Sequence, residues 1–270
     1  MNLFSVDFCL LLISVILSII LLVYLARNKK KSQLHSIFII DLLLTLIISI
    51  GVLTQSICYN VFEINPMLFE NFIYIGTCFL PVALFFTGLI FSNTKITFKK
   101  WYLLLFLIPI LSLLILWTND LHHLFYKYYS FNVNECVFGA YLVVHQVYSY
   151  AFMLIGLLFL LNYSFKNSGF FSKQSLLMLI GILIPLIINI LGSLQIVPMS
   201  VYMTPIAFTV AILFIALAIF KFDFLKVTPI ALQRIVDRMS DGYIIVNDEN
   251  IVTDFNQTFL DLFSLKTGEL

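Results

Sequence analysis

Seven stretches of this chain, near residues 5–26, 35–58, 69–92, 101–117, 141–163, 176–198 and 203–220, are apolar, nearly uncharged and long enough to cross a bilayer. The hydrocarbon core is about 30 Å thick, and a helix needs roughly 20 mainly apolar residues to span it. Backbone amides left unpaired in lipid cost several kcal/mol each, so continuous runs of this kind must be helices; a membrane β-barrel would show short alternating segments instead. The sequence therefore predicts an all-α polytopic membrane protein. With 61% hydrophobic and 11% charged residues and a mean hydropathy of +1.05, it excludes a water-soluble globular class.

Charge fixes the expected orientation. Arg27, Lys29, Lys30 and Lys31 follow the first stretch, Lys95, Lys99 and Lys100 the third, and Lys166 and Lys173 the fifth; Lys221, Lys226, Arg234, Arg238 and Lys266 lie in the tail. Lys127 alone falls on the other side. By the positive-inside rule the N-terminus is outside and the C-terminus inside, a pattern an even number of spans would scramble. Met1 to Leu25 carries no basic residue before its apolar run and several after it, so it reads as a retained signal anchor rather than a cleavable leader. Phe125, Tyr126, Tyr128, Tyr129 and Phe131 crowd the outer loop between the fourth and fifth spans. Such amphipathic rings either lie on the lipid headgroups, the reading favoured by composition, or cap a pocket.

A pocket open to the outside would be lined by polar residues in the outer halves of the helices: Gln55, Tyr74, Thr77, His145, Gln146, Tyr148, Asn189, Gln195 and Thr204. His145 and Gln146 are the most suggestive pair, because an imidazole and an amide can bind a ligand and the imidazole can report pH. For each of these residues the plainer alternative is an interhelical hydrogen bond, worth about 0.6 kcal/mol. Asp41 is read as the only acid well inside a span. A carboxylate there costs about 2.5 to 3.5 kcal/mol on insertion scales, so it must be paired, protonated or wet. A switch-linked hydrogen bond and an ion relay both meet that demand. Pro81 and Pro185 sit mid-span, where each removes a backbone donor and is expected to kink its helix. Cys9, Cys58 and Cys136 fall near the outer face and Cys78 within a span. Packing is the ordinary use of such cysteines, and a Cys58–Cys136 disulfide is the alternative. No Cys/His grouping suggests a metal, and His122 with His123 is too little for one.

After the seventh stretch the composition turns polar. Thr228 followed by Pro229 starts a helix, the hydroxyl capping free amides and the proline taking the first position. Leu232, Ile235, Val236 and Met239 then form one apolar stripe, for which the expected cover is the same helix of a second copy. From Ser240 the period changes: Asp241-Gly242 opens a turn, 243–246 and 251–255 read as strands around a polar turn, and 256–263 as a helix with Phe259, Leu260 and Phe263 on one face.

The run MSDGYIIVNDENIVTDFNQTFLDLF resembles the opening of a PAS sensory domain, with its Asp-Gly at Asp241 and Gly242, its turn acid at Asp248 and its helix-leading Asn at Asn256; Asn247 departs from the Asp common before that turn. The stretches YIGTCFLPVALFFTGLIFS and IGILIPLIINILGSLQIVPMSVYMTPIAFTVAILFIALAIFKFDFLKVTPIALQRIVDRM resemble the seven-helix input region of bacterial membrane sensor histidine kinases and of some diguanylate cyclases, with most weight on Pro81, Pro185, Asn189, Thr204, Pro205 and Pro229. The resemblance implies three parts: a seven-transmembrane sensor region over 1–222, a signal-transmitting linker helix over 223–239, and the first hairpin and helix of an α/β PAS domain over 240–270. It also implies a two-component signalling role in the bacterial cytoplasmic membrane, with the signal relayed through Asp41, Pro81, Pro185, Thr228 and Pro229.

No histidine lies in the tail, and no Gly-rich phosphate loop or cyclase motif is present, so this chain is expected to be non-catalytic, with no cofactor and no metal. The PAS-like part stops before its sheet is complete, so Leu270 is not expected to be a domain end. The expected partners are the lipid bilayer, a second copy through the linker helix and a small ligand bound by His145, Gln146, Gln55, Asn189 and Thr204; nucleic acid is not expected. Two other classes stay open: a small transporter using Asp41, and a scaffold that recruits a separate kinase. A G-protein-coupled receptor is set aside, because FSNTKITFKKW stands where an Asp-Arg-Tyr-like run would follow the third span.

Overall fold

A computed structural model describes residues 5–27, 32–92, 96–97, 99–166, 170–222, 241–246 and 252–264. Helix α1 runs over Val6–Ala26, α2 over Gln33–Phe62 and α3 over Met67–Ser92. A 3-10 segment, Lys100–Phe106, leads directly into α4, Leu107–Trp117. Then come a short helix α5 (Asn119–His122), strand β1 (Tyr126–Tyr128), a 3-10 turn (Val133–Glu135) and strand β2 (Val137–Phe138). The long helices α6 (Ala140–Lys166), α7 (Phe170–Ser193) and α8 (Met203–Phe222) complete the bundle. Farther on, β3 (Ile244–Val246) pairs antiparallel with β4 (Val252–Phe255), followed by α9 (Gln257–Phe263).

Six helices among the described residues are long and apolar enough to cross a membrane: α1, α2, α3, the 100–117 segment, α6 and α7. They coincide with the first six expected spans, and the seventh expected span coincides with α8. The sixth ends five residues earlier than expected, since α7 stops at Ser193 and leaves Gln195, in a left-handed turn at φ 52°, exposed outside it.

The ends of the helices follow from local chemistry. The Ser5 hydroxyl accepts from the Phe8 amide and the Ser32 hydroxyl from the His35 amide, each replacing a partner the first turn lacks. At its other end α2 closes on Glu63 in the left-handed region, with Pro66 beyond it. Pro109 sits in the first turn of α4 and cannot donate to the Leu105 carbonyl; the Tyr148 hydroxyl on α6 donates to that carbonyl instead and ties the two helices together. Both α3 and α7 continue as helix on either side of Pro81 and Pro185.

Each long helix packs on the next around a closed ring, α1–α2–α3–α6–α7–α8 and back to α1, while α4 lies outside against α3 and α6. The exterior of the ring is apolar, unlike that of a soluble protein, and polar side chains lie among the apolar ones inside it. Ser14, Ser18, Ser49, Ser56, Thr87 and Ser112 are fully buried between helices, whereas Ile16, Ile20, Leu103, Leu104 and Leu107 point outwards and are more than half exposed. An apolar exterior around a partly polar interior suits a lipid surround. The chain is a multi-pass membrane protein.

Residues 223–240 lie outside the described set, and with them Thr228, Pro229 and the expected linker helix with its apolar stripe. In the segment beyond, the hairpin and helix stand where the sequence predicts them. Asn256 caps α9 by accepting from the Phe259 amide, and its side chain also accepts from the Tyr243 amide and donates to the Asp241 carbonyl.

Candidate functional site

The segment between α4 and α6 folds back over the end of the bundle rather than spreading along it. Asn119, 5% exposed, is its anchor: Oδ1 accepts from the backbone amides of Phe125 and Tyr126, both at 3.0 Å, and Nδ2 donates to the Tyr126 carbonyl at 2.9 Å. The rings of Phe125, Tyr126 and Phe131 are buried, and Phe131 stacks on Tyr59 of α2 with centroids 4.5 Å apart. This corrects the headgroup reading of the aromatic loop. Only Tyr128 of those five rings is well exposed; the loop's backbone polar groups are satisfied locally, which leaves its aromatic faces free to pack inwards. His122 is used within the same turn, its Nε2 hydrogen-bonded to the Thr118 hydroxyl and its Nδ1 accepting from the Leu124 amide. The four cysteines are free; the Cys136 thiol packs inside the loop, donating to the Ser130 carbonyl at 3.2 Å, and burial pushes it up from its ordinary value.

Beneath this roof lies a cavity of about 200 Å³. One wall comes from α2, α3 and the loop, the other from the end of α7, the 199–201 turn and the start of α8. Glu70, in the first turn of α3, forms the charged part of the first wall. Its Oε2 accepts from the Tyr129 hydroxyl at 2.7 Å and from the Gln55 amide at 3.4 Å, and its Oε1 from the Tyr126 hydroxyl at 3.0 Å. Gln55 is itself fixed by donating to the Pro66 carbonyl and bonding the Tyr129 hydroxyl, both at 2.8 Å. Tyr74 adds a third ring, its hydroxyl 3.0 Å from that of Tyr126. In the loop, burial first and then the charge of Glu70 push the Tyr129 phenol well above its ordinary value, so it stays a protonated donor. The second wall carries Asn189 and Thr204, joined by a 3.1 Å bond from the Thr204 hydroxyl to Asn189 Oδ1. Asn189 Nδ2 donates to the Pro185 carbonyl at 2.8 Å.

Of the residues singled out from sequence, Gln55, Tyr74, Thr77, Asn189 and Thr204 line this cavity together. His145 lies behind the wall: it is buried, its Nδ1 is 3.1 Å from the Ser112 hydroxyl, and its ring stands 5.6 Å from that of Tyr74. Gln146 is half-buried on α6 and does not line the cavity. Asp41 is remote from it, in the first third of α2, accepting at 2.5 Å from the Thr87 hydroxyl of α3. Its other oxygen has no hydrogen-bond partner among the described residues, and Asp41 borders a small, almost wholly apolar gap of about 40 Å³ that Pro185 also borders. Glu70 was missed because it stands at the very start of its span, where a carboxylate is unremarkable in sequence.

In this multi-pass bundle, polar side chains of α2, α3, α7, α8 and the 118–139 loop meet at the capped cavity at one end, and the first turn of α8 forms part of its wall. The family model of the N-terminal 7TM region of histidine kinase matches residues 10–229, and the chain belongs to that family. The family is the input region of those kinases, not their catalytic part. No curated protein and no solved structure gives a significant match.

Proposed function

We propose that this chain is the sensory input module of a histidine-kinase-type receptor in the bacterial cytoplasmic membrane, with seven spans, the capped cavity facing outside and the C-terminal segment in the cytosol. The positive-inside distribution of Lys and Arg supports that orientation. A stimulus at the cavity shifts the packing of α8 against its neighbours, and the shift passes through the 223–239 linker to the PAS-like segment and on to a kinase or diguanylate cyclase output. Dimerisation through the linker stripe gives the output its partner copy.

The observation that carries this reading is the position of α8. Its first turn supplies Met203, Thr204 and Pro205 to the cavity, Tyr202 just before it bonds Ser56 of α2, and Ser14 of α1 donates to the Pro205 carbonyl at 3.5 Å. Whatever occupies the cavity acts directly on the helix that leads to the tail. It moves the equilibrium only as far as it binds the two packings differently. The Asp41–Thr87 bond and the two proline-containing helices are the internal joints along which the shift travels.

The test is a chimera in which the chain is fused to the transmitter of a tractable histidine kinase and kinase output is read in cells. Asn189→Ala and Thr204→Val are expected to move basal output at least about threefold, whereas Leu104→Ala on the lipid-facing side of the 100–106 segment leaves it unchanged. Equal output from all of them removes the cavity from the signalling path.

A further inference from the structure

We infer that the cavity binds a small organic cation, its ammonium group held by Glu70 beside the rings of Tyr74, Tyr126 and Tyr129. The inference deepens the sensory reading by naming the class of stimulus, and rests on it only for the consequence that binding changes output.

Charge is the first argument. Glu70 is an acid on a cavity wall, and no described residue forms an ion pair with it; its partners are two phenols and an amide, all neutral donors. Those donors and the positive end of α3 orient and support a carboxylate but leave its net charge uncompensated. With Glu70 ionised the site carries a net charge of −1, and in a partly enclosed space that charge selects for a cation.

The rings decide which kind of cation. Tyr74 and Tyr126 stand perpendicular, at 89° with centroids 6.5 Å apart, and Tyr126 and Tyr129 meet at 61° with centroids 5.0 Å apart. All three line the cavity. Aromatic walls beside a carboxylate are the arrangement that recognises alkylammonium groups, which gain from the ring quadrupole and lose less hydration than a metal ion. A metal ion is poorly served here. No group of three His, Cys, Asp or Glu occurs among the described residues, whereas calcium takes six to eight oxygens, usually with several carboxylates.

The opposite wall sets the rest of the ligand. Asn189 Nδ2 uses one hydrogen on the Pro185 carbonyl and keeps another, and the Thr204 hydroxyl keeps its acceptor capacity. About 200 Å³ between the two walls suits a compact amine with a second polar group. Such a ligand would bridge Glu70 on α3 and the Asn189–Thr204 pair that joins α7 to α8.

The full chain in phosphatidylglycerol nanodiscs, which carry no amine headgroup, is titrated with ethylamine, ethanolamine and choline and with their neutral counterparts ethanol, ethylene glycol and 3,3-dimethylbutan-1-ol, reading the thermal unfolding midpoint. At least one amine is expected to raise the midpoint in a saturable way while its neutral counterpart does not. Glu70→Gln is expected to weaken that amine at least about tenfold. No amine exceeding its counterpart, or Glu70→Gln binding as tightly as the native chain, overturns the inference; the amine comparison on the native chain decides alone if the variant fails to fold. The chimera separates this site from the sensory reading. An amine that binds without changing output leaves the site and removes the sensory role, and an output that answers another stimulus with no amine bound does the reverse.

Discussion

At Gly88 and Gly156 the backbones of α3 and α6 are in close contact, with no room for a Cβ between them. A Cβ added to Gly88 would lie 2.3 Å from the Gly156 carbonyl oxygen, an overlap relieved only by moving a helix. At Gly192 the added carbon would meet the Met199 side chain at 2.9 Å, and a flexible thioether can yield. Gly88→Ala is therefore expected to cost about 1 to 3 kcal/mol in thermal unfolding in detergent, with Gly192→Ala costing clearly less. Equal midpoints for the two would mean that α3 and α6 are not in backbone contact. Neither glycine pair nor partner could be read from sequence, because the contact joins residues 68 positions apart and glycine carries no side chain to betray its neighbour. Glu70 is the same lesson with a charge: its donors come from α2 and from a loop more than fifty residues on, and only folding brings them together. Asp41 was conspicuous because nothing near it in sequence is charged, yet its partner is a threonine that sequence gave no reason to choose.

Among the elements, the hydropathic ones were legible and the polar one was not. The long apolar runs announced their helices because lipid leaves the backbone no alternative. The 118–139 segment has no such compulsion, and its fold depends on one side chain. Asn119 satisfies two backbone amides and one carbonyl, so Asn119→Ala is expected to leave three backbone groups without these partners. The cost should be about 2 kcal/mol, concentrated in this element, and hydrogen exchange is expected to show residues 124–138 losing protection while α2 and α3 keep theirs. Unchanged exchange across 124–138 would mean the roof is held by its rings alone. The turn chemistry was hidden by the aromatic composition: five rings in an outer loop suggest a headgroup belt, and burial of three of them depends on contacts with α2 and α3. The hairpin and α9 were more readable, since the Asp-Gly turn, β-branched run and Asn cap are local signals.

Across the whole molecule, the closed ring of helices joins the two walls of the cavity. α8 touches α1, α2 and α7, and its first turn is cavity wall, so an occupant of the cavity bears directly on α8. The roof and the α7–α8 turn are clamped to each other as well: Asn134 Nδ2 donates to the Met199 carbonyl at 3.2 Å, and its Oδ1 accepts from the Met199 amide at 3.0 Å. That clamp is where the central claim is most exposed. The decisive measurement is kinase output of the chimera in membrane vesicles, with Asn134→Cys and Met199→Cys in a background where Cys9 and Cys58 are serine, before and after bridging by a short reversible bifunctional thiol reagent. If the cavity's closure governs α8, bridging shifts output at least about threefold and reducing the bridge restores it. Output unmoved by a fully formed bridge would contradict the account, because the roof and the start of α8 would then be fixed together with no effect on the signal.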